Sequence, residues 1–186
     1  MKKLFFILML LFSTSVFSQS KFSIIVSSGL FMPNSSTFKL GVGGHISFNY
    51  DLNDNFAIAL TSGYSSWGYR DTRNYNTRII PVILGTKYYF MKDNAIIPYL
   101  IGELQVISGK INYSQENYKM IDTGLMFTNT TNETKSFLDY GVGIGAGLKF
   151  PLNNSFGIDL SSSMLLFAEH SDFLNIRTML GLSYGF

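Results

Sequence analysis

The sequence has no cysteine among its 186 residues, which excludes a disulfide framework and any thiolate metal site. Charge is scarce too. Asp, Glu, Lys and Arg make up 14 % of the chain, where about 25 % is ordinary for a soluble domain. No linker, charge block or low-complexity tract divides the chain, and beyond its first residues no apolar stripe recurs at helical spacing. Aromatic residues are abundant instead, at 16 %, and Gly is frequent.

The first residues divide into Lys2-Lys3, an apolar run from Leu4 to Phe12, and a small, polar stretch from Ser13 to Ser18. That is the three-part plan of a secretory signal. The run is far shorter than the about 20 residues that span a bilayer as a helix. Val16 and Ser18 are the small residues before a cut, so residues 1–18 are expected to be removed and residues 19–186 to form one domain. No cysteine stands at the expected new end, so a lipid anchor is not expected. Without Lys2 and Lys3 the basic residues number the same as the 12 acidic ones, and they are scattered, so a nucleic-acid partner is not expected either.

Alternation with period two recurs along the rest of the chain and predicts eight strands, at about 21–31, 38–51, 55–69, 77–91, 95–112, 136–150, 155–167 and 174–186. On the second, Leu40, Val42, Gly44, Ile46, Phe48 and Tyr50 alternate with Lys39, Gly41, Gly43, His45, Ser47 and Asn49. On the sixth, Leu138, Tyr140, Val142, Ile144, Ala146, Leu148 and Phe150 face away from Asp139, four glycines and Lys149. The last repeats the pattern from Ile176 to Phe186. Alternate strand residues point to opposite faces, so even-numbered residues form one apolar face and odd-numbered ones a polar face. Lys39, His45, Lys87, Glu103, Asp139, Lys149, Asp159 and Arg177 all take the polar parity. Arg78 and Lys110 break it, near segment ends where a charge can reach headgroups or water.

Short connections at Leu52-Asn53-Asp54, Lys92-Asp93-Asn94 and Pro151-Leu152-Asn153-Asn154 alternate with generally longer ones, the longest from Tyr113 to Lys135. Aromatics cluster beside the short ones: Tyr50, Phe56, Tyr88, Phe90, Phe150 and Phe156, joined by Phe22, Tyr184 and Phe186 at the ends. Phe38, Tyr64 and Tyr140 are candidates for a second girdle. These features predict an all-β, eight-stranded, antiparallel up-and-down transmembrane barrel with short periplasmic turns, longer outer loops and both ends in the periplasm. A soluble barrel or sandwich would carry charge regularly on its outside. The polar face here is mostly Gly, Ser, Ala, Asn and Thr with isolated charges, which suits the cramped interior of eight strands.

Three stretches carry a family resemblance: Ile80-Pro81-Val82-Ile83-Leu84 running to Lys87-Tyr88-Tyr89-Phe90, then Pro98-Tyr99-Leu100-Ile101-Gly102, then Gly143-Ile144-Gly145-Ala146-Gly147-Leu148-Lys149-Phe150. Through them the chain resembles the small outer-membrane proteins of the β-barrel or porin-family domain, loosely related to the OmpA and OmpX barrels. The closing Leu180-Gly181-Leu182-Ser183-Tyr184-Gly185-Phe186 resembles the signal read by the barrel assembly machinery, with Tyr184 and Phe186 its aromatic positions. The resemblance implies an integral outer-membrane location amid lipid and lipopolysaccharide, and leaves function open, since many roles share this barrel.

Within that frame, the odd-parity set Lys39, Lys87, Lys149 and Arg177 is expected to pair with Glu103, Asp139 and Asp159 and to fill the lumen, because an unpaired charge there is expensive. His45 has no His, Asp or Glu two residues away, so it reads as a hydrogen-bonding interior residue; neither metal nor cofactor is expected. Glu169-His170-Ser171-Asp172 is the one local cluster that could suggest catalysis, of the lipid A acyl hydrolase kind. Adjacent His170 and Ser171 would point to opposite faces of a continuing strand, which argues against a nucleophile and its base. The loop from Tyr113 to Lys135, with Tyr113, Tyr118, Met120, Met126 and Phe127, could meet a partner whose identity the sequence does not give. The expected role is therefore structural or interactive and non-enzymatic: envelope integrity, adhesion, or ligand binding by outer loops. A small transport pore is the alternative, and a lipid hydrolase stands behind it.

Overall fold

The computed structural model describes residues 21–33, 39–68, 76–91, 94–120, 126–168 and 175–186, with backbone alone at 33 and 113–132. The expected signal, Phe38 and the Glu169-His170-Ser171-Asp172 cluster lie outside these residues. Eight strands follow the period-two alternation: β1 (Phe22–Pro33), β2 (Gly41–Asp51), β3 (Phe56–Gly68), β4 (Asn76–Tyr89), β5 (Ile97–Met120), β6 (Met126–Pro151), β7 (Phe156–Phe167) and β8 (Asn175–Gly185). Each pairs antiparallel with its sequence neighbours, and β1 closes on β8 from Ser23↔Gly185 to Pro33↔Asn175. No edge remains unpaired within the wall, which is the condition for a sheet to stand in hydrocarbon.

The register fixes the barrel's shape. From Phe22 the partners run through Tyr50, Ile58, Thr86, Gly102, Ile144, Met164 and Ile176 and return to β1 at Met32, ten residues further along. Eight strands with a shear of ten, at about 4.8 Å between strands and 3.3 Å per residue, tilt by about 41° and enclose a backbone radius of about 8 Å. That interior is filled by side chains.

Parity decides which side chains go in. Within the wall, even-numbered residues face outward, most of them exposed, and odd-numbered ones turn inward on all eight strands. Ile144 is 72 % exposed and Leu182 66 %, beside Leu104, Val142 and Val42. A continuous apolar belt of this kind is stable only in lipid. At the short-turn end the belt is edged by paired rings: Phe22 with Tyr50 at 4.7 Å, Phe56 with Tyr88 at 4.9 Å, and Phe156 with Tyr184 at 4.9 Å between centroids. Tyr64 and Tyr140 stand exposed toward the other end.

Two of the short turns share one construction. Asn53 Oδ1 accepts the N–H groups of Asn55 and Phe56, both at 2.9 Å, and Asn153 Oδ1 accepts those of Ser155 and Phe156 at 2.9 and 2.7 Å. In each, the residue before the Asn donates its N–H to the closing Phe carbonyl at 2.8 Å. The Asn side chain thus stands in for backbone partners that so tight a reversal would leave unmet.

The longest expected loop is not a loop. β5 and β6 continue past the barrel as a two-stranded ribbon, from Tyr113↔Glu133 to Met120↔Met126, leaving only 121–125 between them. The wall ends near Asn76↔Asn112 on one flank and Gly141↔Phe167 on the other, so the ribbon stands clear of it by about 25 Å at 3.4 Å per residue. Thr128, Thr130, Thr131 and Thr134, with Tyr113, Tyr118 and Phe127, are strand formers. Their polarity suggested a loop because a ribbon in water needs no apolar face.

Candidate functional site

Among the described residues, Lys87–Asp159 and Arg177–Glu103 are ion pairs that brace the lumen, each joining strands that are not neighbours in the wall. Nearer the short turns, Lys87 of β4 lies 3.8 Å from Asp159 Oδ2 of β7, and both are buried. Tyr99 of β5 donates its hydroxyl to Asp159 Oδ1 at 2.7 Å, and the Lys87 ammonium sits 4.8 Å from the centre of the Tyr99 ring. Tyr89 packs against Tyr99 at 5.5 Å. The carboxylate is therefore met by a hydroxyl and an ammonium, and the ammonium by a carboxylate and a ring face. Gly147 makes room for this group, since a Cβ there would collide with the Tyr99 ring.

Higher in the lumen, Arg177 of β8 reaches Glu103 of β5, with Nη2 at 2.5 and 2.6 Å from the two carboxylate oxygens. The side chains are only 7 % and 4 % exposed, so the pair is shielded from competing water. His45 lies beside it, with Nε2 3.3 Å from Ser65 Oγ and its ring 5.7 Å from Phe31, edge to face. A Cβ at Gly63 would strike the His45 ring, so that glycine too is a clearance. Toward the ribbon end, Phe31, Trp67, Ile79, Ile107, Leu165 and Phe167 close over the pair, leaving a cavity of about 10 Å³. That is about the room of one water.

Of the expected interior residues, Lys87, Glu103, Asp159, Arg177 and His45 occupy these two levels. Asp139 is buried near the ribbon end, where its Oδ1 accepts the Tyr140 N–H at 2.7 Å, and half-buried Lys149 stands opposite Asp159 in register. Lys39 corrects the expectation. It is exposed and lies before β2, which begins at Gly41; its backbone N–H donates to the Gly68 carbonyl at 2.8 Å above the wall. Tyr113 and Tyr118 fall on the ribbon's β5 arm with Met120 at its end, and Met126 and Phe127 open the β6 arm.

The interior is more apolar than its polar parity suggested. Ile25, Ile83 and Met179 are buried inside, and Asn49 and Gln105 bring amide groups for which the described residues offer no partner to Asn49 or to Gln105 Nε2. β4 hid this, because Ile79, Pro81 and Ile83 face inward while Ile80, Val82 and Leu84 face lipid, so no alternation was visible. Tyr99 belongs to the lumen as well, and its odd parity, opposite Gly147 in register, is the sequence signal for it.

The comparisons with known proteins agree with this architecture. Neisserial surface protein A superposes with a TM-score of 0.65 at 15 % identity, covering 91 % of this chain and 100 % of that one. Ail, the attachment invasion locus protein of Yersinia pestis, gives 0.59 at 18 %, again over 91 % and 100 %. The outer membrane protein OprG of Pseudomonas aeruginosa gives 0.57 at 13 %, over 91 % and 98 %. At these identities the likeness is one of fold. A search of curated proteins gives no match. Residues 4–186 match the family described as the outer membrane protein beta-barrel domain, and the chain belongs to that family of integral outer-membrane barrels.

Proposed function

We propose that the barrel is a closed, non-enzymatic anchor that presents the β5–β6 ribbon as a contact element at the cell surface. The observation that carries this reading is the contrast between the two ends: a lumen closed by two buried ion pairs and apolar packing, and a ribbon standing clear of the wall. A filled cylinder contributes stiffness and a rigid base, and surface contact is the work left to the part outside it. Ail, named for attachment and invasion, has also been solved with the heparin analogue sucrose octasulfate, and that protein lends adhesion to this reading as an analogy of fold.

In the same reading, residues 1–18 are a cleaved export signal, residues 19–186 the mature domain, and Tyr184 and Phe186 the aromatic positions read by the barrel assembly machinery. Both described ends and the short turns share one rim, which supports a periplasmic position for that rim and a surface position for the ribbon. Three measurements test the proposal. Cells carrying the barrel with residues 113–133 replaced by a tight turn should keep a heat-modifiable outer-membrane band and lose surface attachment. In planar bilayers the intact barrel should show no steady conductance; a sizeable, stable current would favour the pore instead. Ser171→Ala should leave lipid A acylation unchanged, and a loss of deacylation would revive the hydrolase.

A further inference from the structure

The two charges that break parity turn out to face each other. Arg78 on β4 and Lys110 on β5 are register partners, both exposed on the outward face at the ribbon end of the wall. The row continues on both sides as Ser66↔Arg78↔Lys110↔Ser136, so two cations are flanked by two hydroxyls across four strands. One step further from the membrane runs a second row, Gly68↔Asn76↔Asn112↔Thr134. There Ser66 Oγ donates to Asn76 Oδ1 at 3.0 Å and Thr134 Oγ1 to Asn112 Oδ1 at 2.8 Å. Each amide oxygen thereby accepts from a neighbouring hydroxyl, and the Nδ2 groups of these two half-buried residues add donors to the strip.

Direct cross-strand partners hold their Cβ atoms about 5 Å apart, and like charges at that spacing repel. No carboxylate stands in either row, and neither cation makes an ion pair with a described residue. The site is thus a two-cation, donor-rich strip that lacks its anion. It faces sideways off the wall, directly above Ile80, Val82, Val106 and Leu138 of the apolar belt, with Tyr64 and Tyr140 on the same face. A lipid standing beside the strip lays its acyl chains against the belt below, which brings an anionic headgroup to the height of the two cations.

We propose that Arg78 and Lys110, with the amides of Asn76 and Asn112, bind a phosphate group of an outer-leaflet glycolipid, the lipopolysaccharide of the surrounding leaflet. A planar guanidinium and an ammonium suit a phosphate oxygen pair, and the hydroxyls and amides suit the sugar that bears it. The assignment of leaflet rests on the orientation proposed above; the affinity does not.

The test uses the full barrel refolded in phosphatidylcholine nanodiscs doped in both leaflets with bisphosphorylated lipid A, with dephosphorylated lipid A, or with phosphatidylglycerol, and counts bound lipid by native mass spectrometry. The wild type should retain bisphosphorylated lipid A at least tenfold over the dephosphorylated form. The double variant R78Q/K110Q should lose that preference, while R78K/K110R and K21Q, the latter at the far rim, should keep it; heat-modifiable migration confirms that each is folded. Equal retention of the dephosphorylated form, or retention unchanged in R78Q/K110Q, overturns the site. Equal retention of phosphatidylglycerol, or displacement by millimolar inorganic phosphate, overturns the glycolipid as its occupant. Labelling of an Asn112→Cys barrel on whole cells reads the orientation separately.

Discussion

Replacing Glu103 by Gln is the sharpest perturbation of the lumen, because the two side chains are nearly isosteric and only the charge is removed. In the native barrel Arg177 Nη2 meets both Glu103 oxygens, and the pair is nearly inaccessible. Removing one member of such a pair leaves the other charge buried and costs about 3–5 kcal/mol. Gln keeps one acceptor for the guanidinium, so the lower end applies, about 3 kcal/mol, or about a hundredfold in the unfolding equilibrium. Replacing both partners by apolar residues, Glu103→Leu with Arg177→Met, should return to within about 1 kcal/mol of the wild type, because the desolvation penalty disappears with the charges. With Glu103→Leu and Arg177→Met as the single variants, each costing about 3 kcal/mol or more, the cycle would then show a coupling of about 5 kcal/mol. Urea unfolding from lipid vesicles measures this. The only tryptophan, Trp67, lines the same cavity as Arg177 and reports the transition by its fluorescence. If E103Q costs less than about 0.5 kcal/mol, the typical worth of an exposed pair, or if the apolar double variant is no better than the singles, the lumen is wetter than the reasoning requires.

Three further outcomes are expected. Tyr99→Phe removes the hydroxyl that donates to the buried Asp159 at 2.7 Å and should cost about 2 kcal/mol; Gly147→Ala, which drives a Cβ into the Tyr99 ring, should cost a similar amount on the same urea curve. Asn53→Ala and Asn153→Ala each remove an acceptor of two turn N–H groups and should cost about 1 kcal/mol apiece, additively, since the turns are separate. Ile144→Arg in the middle of the belt should cost about 2–4 kcal/mol and Val42→Arg near its outer edge about 1 or less; equal costs would contradict the depth assigned to the two.

The strands and their facing were legible because parity is a local property: His45 is known to share a face with Ser47 without reference to any other strand. Shear is not local. It accumulates from eight registers, and each depends on how many residues a connection consumes before pairing resumes, so the partners of Arg177 and Lys87 could not be named from the sequence. The ribbon was missed for a related reason. Period two is visible only when the two faces differ, and Asn129-Thr130-Thr131-Asn132 is polar on both. Lys39 was misassigned by a matter of three residues: the alternation runs unbroken through Leu40, but the register with β3 starts only at Val42↔Ser66, and a lysine on the correct parity stands outside the lumen when it stands above the wall.

The same distinction explains what the charged interior is for. The apolar belt drives the chain into lipid, yet it cannot choose among registers, since a slip of two residues keeps every even-numbered side chain on the lipid side. A shear of eight or twelve would satisfy the belt as well as ten. Such a slip at β8 would carry Arg177 about 7 Å along its strand away from Glu103, and a slip between β4 and β7 would do the same to Lys87 and Asp159. Both pairs join strands that do not touch in the wall, so each senses the sum of several registers at once. The cost of an uncompensated buried charge then falls on every register but one. The glycines act in the same direction, because Gly147 and Gly63 leave clearance for Tyr99 and His45 only when those rings arrive at the right height. Apolar replacement of Glu103 and Arg177 can therefore recover stability while giving up part of what makes the closed barrel a single structure.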